Sequence, residues 1–229
     1  MHTISSLNLK VGEVHVWSMS LDCLPGRMEE FSAVLGTEER EHASRFRFER
    51  DRGRYVAAHG QVREILGRYV GRDPTVLRFR LGKYGKPMLI NSTIRFNLSH
   101  SRDIAMCAIS SRCPVGIDVE CIRKGVPVLE ISKGFFTPAE TIRIRSLQGL
   151  AQTVQFFRVW TAKEAYLKAT GEGLSRAADS FELVFDERGF PCGVRNQSEW
   201  RLSHLSAPGG FLAALATFGP VPRITCFSA

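Results

Sequence analysis

No segment of this chain approaches the roughly 18 to 20 consecutive apolar residues of a membrane-spanning helix. The opening residues, Met1-His2-Thr3-Ile4-Ser5-Ser6, carry neither the basic nor the apolar region of a secretory signal. The six cysteines, Cys23, Cys107, Cys113, Cys121, Cys192 and Cys226, include no CxxC pair, which argues against a disulfide framework or a zinc site and for a reduced setting. Acidic side chains are in deficit, 23 against 31 Lys and Arg, for a formal net charge of +8. These absences predict a cytoplasmic protein with no membrane contact. The positive charge predicts phosphorylated ligands or acidic proteins as partners, with nucleic acid one acidic partner among several.

What is present suits an ordinary buried core. A chain of 229 residues with 44% hydrophobic side chains makes one large domain or two small ones. Residues 14–19 alternate as a first strand, and helical, charged segments follow over 31–47. Tyr55, Ala58, Val62, Ile65, Leu66 and Tyr69 recur at helical spacing across 51–70, where Gly71 and Pro74 stop the pattern. Residues 76–81, 94–100, 104–110 and 115–120 read as strands, with a tight basic loop at 82–87 and a turn at 111–114. Thr137, Pro138 and Glu140 have the N-cap, first-turn proline and capping-box glutamate of a helix start. A long helix spans about 153–169 and ends at Gly171, and strands are expected at 180–185, 200–206 and 211–217. The result is an α+β chain in two halves, 1–111 and 112–229, each a long helix with a small antiparallel sheet.

Several short motifs carry chemistry. Asp118 and Glu120, two apart in Gly116-Ile117-Asp118-Val119-Glu120, fall on one face of a strand. Such a pair usually marks a solvated face, but in an otherwise apolar strand an unpaired carboxylate is expensive and a bound cation offsets that cost. Oxygen donors without a Cys or His pattern favour Mg²⁺ or Mn²⁺ over zinc. In Trp160-Thr161-Ala162-Lys163-Glu164-Ala165-Tyr166-Leu167-Lys168, Glu164 and Lys168 stand four apart with the acid first. That is the order of an ordinary exposed helix pair, yet the apolar flanks make this helix partly buried. Three acids could then converge on one hard cation. Phe96-Asn97-Leu98-Ser99-His100-Ser101 reads as a polar turn closing a strand or as a turn that contacts phosphate. Ser99 and His100 do not make a hydrolytic pair, because adjacent residues on an extended chain point opposite ways. Gly85 and Lys86 lie in a loop without P-loop spacing that is either a hairpin turn or a close approach to phosphate. Arg45, Arg47, Arg50, Arg52 and Arg54 form a basic patch interleaved with Phe46, Phe48 and Tyr55.

The order of these pieces, an Arg-Asp helix start, GKP, FNLSHS, GIDVE and WTAKEAYLK, resembles the 4′-phosphopantetheinyl transferase family in its larger, surfactin-type, pseudo-dimeric class, over residues 39–174. The resemblance implies Mg²⁺-dependent transfer of the phosphopantetheine arm of coenzyme A to a serine hydroxyl of an apo acyl or peptidyl carrier protein, with release of adenosine 3′,5′-bisphosphate. It implies a monomer of two similar α+β halves related by a pseudo-twofold, with the coenzyme between them. Asp118, Glu120 and Glu164 become the Mg²⁺ ligands, with Glu164 alternatively the base for the carrier serine, and Lys168 stands against the pyrophosphate. Asp118, Glu164 and Lys168 are then catalytic, and Arg50, Gly85, Lys86, Ser99 and His100 join them around the coenzyme. Lys163 receives no separate role. One departure stands out: some members bind the coenzyme 3′-phosphate with lysines just before the Arg-Phe pair, where this chain has Glu39 and His42, leaving Arg45 or Arg50 as substitutes.

Two other classes compete. A nucleic-acid-binding module would use the arginine patch, but it leaves three acids without a purpose. A metal-dependent phosphohydrolase accounts for the acids but not for the ordered set of motifs.

Overall fold

The computed structural model describes residues 7–229; the amino-terminal hexapeptide read above for a secretory signal lies outside the described residues. The apolar alternation of the first strand forms β1 (Glu13–Ser20), which leads to α1 (Pro25–Val34), α2 (Thr37–Ser44) and the 22-residue α3 (Glu49–Val70). A 3₁₀ turn at Pro74–Val76 comes next, then a hairpin of β2 (Phe79–Leu81) and β3 (Pro87–Leu89), then β4 (Ile94–Ser101) and β5 (Ile104–Ser111). The second half runs in similar order. It has β6 (Val115–Cys121), α4 (Val128–Phe135), α5 (Pro138–Arg145) and the 22-residue α6 (Gly149–Thr170), then 3₁₀ turns at Gly173–Ser175 and Ala178–Ser180. The short pair β7 (Leu183–Phe185) and β8 (Pro191–Val194) precedes β9 (Gln197–Leu205), β10 (Phe211–Phe218) and β11 (Arg223–Ser228). The predicted capping box starts α5, with Thr137 Oγ1 accepting from Glu140 N and Glu140 Oε2 from Thr137 N. Gly171 ends α6 in the left-handed region at φ 76°.

The strands form two main sheets, β11-β1-β5-β4 and β6-β10-β9-β8-β7, with β2 and β3 as a separate ribbon. Period-2 alternation divides the core into three layers. Val14, Val16, Met106 and Ala108 of the first sheet pack against Ile117, Val119, Ala213 and Leu215 of the second. On the outer face of the first sheet, Trp17, Met19, Cys107 and Ile109 meet α3 residues such as Val62, Ile65 and Leu66. On the outer face of the second, Ala214 and Ala216 meet Ala162, Ala165 and Ala169 of α6. The architecture is mixed α+β, in the layer order helix, sheet, sheet, helix. One pairing differs from the antiparallel halves expected: β11, late in sequence, joins the first sheet by pairing in parallel with β1. No helix among the described residues is long and apolar enough to cross a membrane.

Each long helix hides a cation. Arg63 of α3 donates from Nε to Glu39 Oε2 at 2.6 Å and from Nη1 to Pro74 O at 2.7 Å, while Glu39 also accepts from Gly36 N at 2.7 Å to cap α2. Lys163 of α6 meets Glu140 Oε2 at 2.9 Å and donates to Ala178 O and Phe181 O, both at 2.7 Å. Glu140 Oε1 accepts from Leu183 N at 2.9 Å. Burial lowers the Lys163 pKa and the Glu140 carboxylate opposes that shift; a buried charge is tolerated because it is both paired and hydrogen-bonded. Lys163 therefore acquires a structural use that its motif did not reveal. Glu39 likewise is spent on helix capping and on Arg63.

Candidate active site

The site begins where α6 rests on β6. A Cβ at Gly116 would lie 2.1 Å from Ala165 O and 2.4 Å from Ala169 N, so only the bare glycine backbone admits the helix at this distance. Asp118 and Glu120 follow on the same face of the strand. The close approach brings Lys168 Nζ to 2.6 Å from Asp118 Oδ1 and 2.9 Å from Ser99 Oγ. Lys168 thus turns to Asp118 across the interface instead of pairing with Glu164 along its own helix.

The FNLSHS segment is strand β4, not a turn, and its alternation separates Ser99 from His100 as expected. Asn97 Oδ1 accepts from Ile117 N at 2.8 Å, Ser99 Oγ from Val119 N at 3.4 Å, and Ser101 Oγ from Cys121 N at 3.1 Å. Ser99 also donates to Asp118 Oδ1 at 2.9 Å, and Ser101 to Glu120 Oε2 at 2.8 Å. With one donation and two acceptances, the buried Ser99 hydroxyl has no capacity left. A coenzyme phosphate could reach the Ser99 hydroxyl only by displacing one of these partners.

His100, on the other face of β4, is exposed. Its pKa is lowered by desolvation first, then by Lys168, His59 and Arg54, with Asp118 opposing. Those neighbours identify Arg54 and His59 of α3 as groups that face the site. His59 was not singled out from the sequence; its signal is the spacing of Arg54, Tyr55 and His59 on one side of a helix. Arg54 Nε is buried without a hydrogen-bond partner. Arg50 lies in the first turn of α3, exposed, 3.1 Å from Asp51.

All three acids are pushed toward higher pKa. Burial is the largest cause at Asp118, opposed by Lys168 and Ser99. Burial also leads at Glu120, where Ser101 opposes and Asp118 adds, and at Glu164, where Asp118 and Glu120 add and Lys168 opposes. Asp118 raises Glu120, and both raise Glu164, so the three carboxylates lie near one another. Among the described residues, no three His, Cys, Asp or Glu side chains are gathered closely enough to enclose a metal ion. The donor set nonetheless suits a hard divalent cation: the donors are all carboxylate oxygens, and Asp118 Oδ2 is buried with no hydrogen-bond partner.

Lys86 has protein partners of its own. Its ammonium donates to Val115 O at 2.8 Å, Lys168 O at 2.6 Å and Ala169 O at 3.3 Å, which caps the C-terminal carbonyls of α6 and ties the β2–β3 ribbon to both β6 and α6. Burial first, and Arg95 second, push its pKa down to about 8. Gly85 stands exposed in the turn at φ 83°. Lys86→Met should cost about 1–3 kcal/mol of stability through the carbonyls left unpaired, read by denaturant unfolding, with coenzyme Kd within about twofold of wild type. A tenfold weaker Kd at unchanged stability would restore Lys86 as a ligand.

A family model described as "4′-phosphopantetheinyl transferase superfamily" matches residues 114–216, and one described as "4′-phosphopantetheinyl transferase, N-terminal" matches 23–112. The 4′-phosphopantetheinyl transferase HetI of Nostoc sp. is 36% identical over 218 residues, 93% of this chain and 91% of that protein. The 4′-phosphopantetheinyl transferase Sfp of Bacillus subtilis is 34% identical over 163 residues, 70% of this chain and 71% of that one. Among solved structures, a holo-(acyl-carrier-protein) synthase from Bacillus anthracis in complex with CoA (3′,5′-ADP) is 26% identical with a TM-score of 0.40, over 46% of this chain and 94% of that one. With both family models matched and 36% identity to HetI over 93% of its length, the chain belongs to the 4′-phosphopantetheinyl transferase family, as an Sfp-type transferase.

Proposed function

We propose that the protein moves the 4′-phosphopantetheine arm of coenzyme A to a serine of an apo acyl or peptidyl carrier protein, with Mg²⁺, releasing adenosine 3′,5′-bisphosphate. The observation that carries this reading is the cluster in which Asp118, Glu120 and Glu164 are desolvated near one another while Lys168 bridges Asp118 and Ser99. Asp118, Glu120 and Glu164 would hold the cation. A cation held there would neutralise charge on the pyrophosphate.

The chain's own groups do the rest. Glu164 either completes the cation site or accepts the proton of the carrier serine, a weak nucleophile near neutral pH. Lys168 supplies a fixed positive charge beside the departing phosphate, where a preorganised cation acts most strongly. His100, Arg54 and Arg50 line the approach for a polyanionic coenzyme, with Gly85 offering a backbone that a nucleotide can approach closely. The net charge of +8 suits both substrates.

The same reading includes a cytoplasmic monomer with halves 1–111 and 112–229 related by a pseudo-twofold. Support comes from the similar element order and from the buried cations. Arg63 and Lys163 occupy the same position in two 22-residue helices, and each pairs with the capping-box glutamate of the preceding helix. Six free thiols suit a reducing compartment.

The test is incorporation of a labelled arm into a panel of apo fatty-acid, polyketide and nonribosomal-peptide carriers. Transfer should cease on chelation of the metal and return with added Mg²⁺. Folded enzyme that modifies no carrier in the panel would overturn the assignment.

A further inference from the structure

We infer that Asn97, Ser99 and Ser101 form a side-chain seam that replaces a backbone ladder between the two sheets and positions the carboxylates of Asp118 and Glu120. β4 ends the first sheet and β6 begins the second, so each is an edge strand. An edge presents a row of N–H groups in need of partners, and alternate residues of β6 use their other edge for the ladder to β10. The N–H groups of Ile117, Val119 and Cys121 face β4, where side-chain oxygens of Asn97, Ser99 and Ser101 accept from them in constant register.

The residue types follow from what each position must do. A serine hydroxyl both accepts and donates; bound to the N–H of Val119 or Cys121, it donates to the carboxylate of the residue before, Asp118 or Glu120. Opposite Ile117 no carboxylate is at hand, and there the strand carries an asparagine that uses its carbonyl alone. Ser99 adds Lys168 as a third partner, which joins α6 to the seam. Both strands have a period of 2, so a slip of one residue would misdirect the whole row at once. The three residues are positioning residues: they hold the acids and the two sheets in register.

The catalytic part of this inference rests on the proposed transfer; the seam itself does not. The test compares Ser101→Ala, Ser101→Thr and Ser99→Ala for transfer kinetics, coenzyme binding by calorimetry, and amide hydrogen exchange. Ser101→Ala should lower kcat about tenfold, the equivalent of one lost hydrogen bond, with coenzyme KM and Kd within about twofold. Exchange at the Cys121 amide should accelerate about tenfold or more while Ile117 stays protected. Ser101→Thr should restore both. Ser99→Ala should behave alike at Val119, and if that buried position does not fold when altered, the partly exposed Ser101 decides alone. A weakened coenzyme Kd with unchanged kcat and unchanged exchange would overturn the seam and make the serines ligands. If the wild-type enzyme modifies no carrier, the function fails while the exchange result still decides the seam.

Discussion

Glu164→Gln is expected to lower kcat by about 10²- to 10⁴-fold, the range for loss of a positioned general base, while leaving the fold at least as stable. Among the described residues Glu164 makes no salt bridge; it sits near two other acids, and burial is the main reason its pKa is raised, with Lys168 opposing. A carboxyl whose folded pKa is raised binds more protons in the folded chain than in the unfolded one. Its ionisation therefore costs stability as pH rises from the ordinary glutamate value of 4.5 toward the raised one, and the cost is fully present above that window. Glutamine removes the cost. In metal-free buffer at neutral pH the variant should melt no lower than wild type and preferably higher, with the difference vanishing below the ordinary value. Melting curves across pH, paired with transfer rates, separate this outcome from simple misfolding. A near-normal rate would refute Glu164 as ligand or base.

Gly116→Ala is expected to be as damaging from the opposite cause. The added Cβ meets Ala165 O, Ala169 N and Ala169 Cα, all backbone of α6, so no rotamer change relieves the clash. Overpacking of this kind costs about 1–3 kcal/mol and occasionally more, and these contacts belong at the upper end. Any folded protein that survives must hold α6 away from β6, which withdraws Lys168 from Asp118 and Ser99. A displacement near 1 Å can cost about 10²-fold in rate. Unfolding by denaturant and transfer kinetics together should show both losses; wild-type values in both would mean that the helix does not depend on this contact.

The long, periodic elements were legible before the structure. Both core helices, the α5 capping box, the Gly171 cap and the strands around GIDVE follow from spacing and local caps. Other features depended on distant partners. Residues 76–81 yield only a short strand because Pro74 starts a 3₁₀ turn through Val76. β8, with Pro191 and Gly193, lacks a strand-like composition, and β11 owes its pairing to β1, more than two hundred residues away in sequence.

The site shows the same division. The common face of Asp118 and Glu120, and the opposite directions of Ser99 and His100, follow from a period of 2. The partners of Lys86, Lys163 and Lys168 do not, because a long lysine stem reaches whatever carbonyl or carboxylate the fold supplies. Lys168 finds Asp118, Lys163 finds Glu140, and Lys86 finds the end of α6. Only the tertiary arrangement tells which partner each lysine takes.

The most direct measurement is the stoichiometry of the reaction in one tube. With coenzyme A, Mg²⁺ and an apo carrier, intact-mass analysis of the carrier and chromatography of the nucleotide should show one adenosine 3′,5′-bisphosphate formed for each arm gained by the carrier, and neither product without carrier. Nucleotide release in the absence of any carrier, with no arm transferred when one is supplied, would contradict the account and make the cleft hydrolytic.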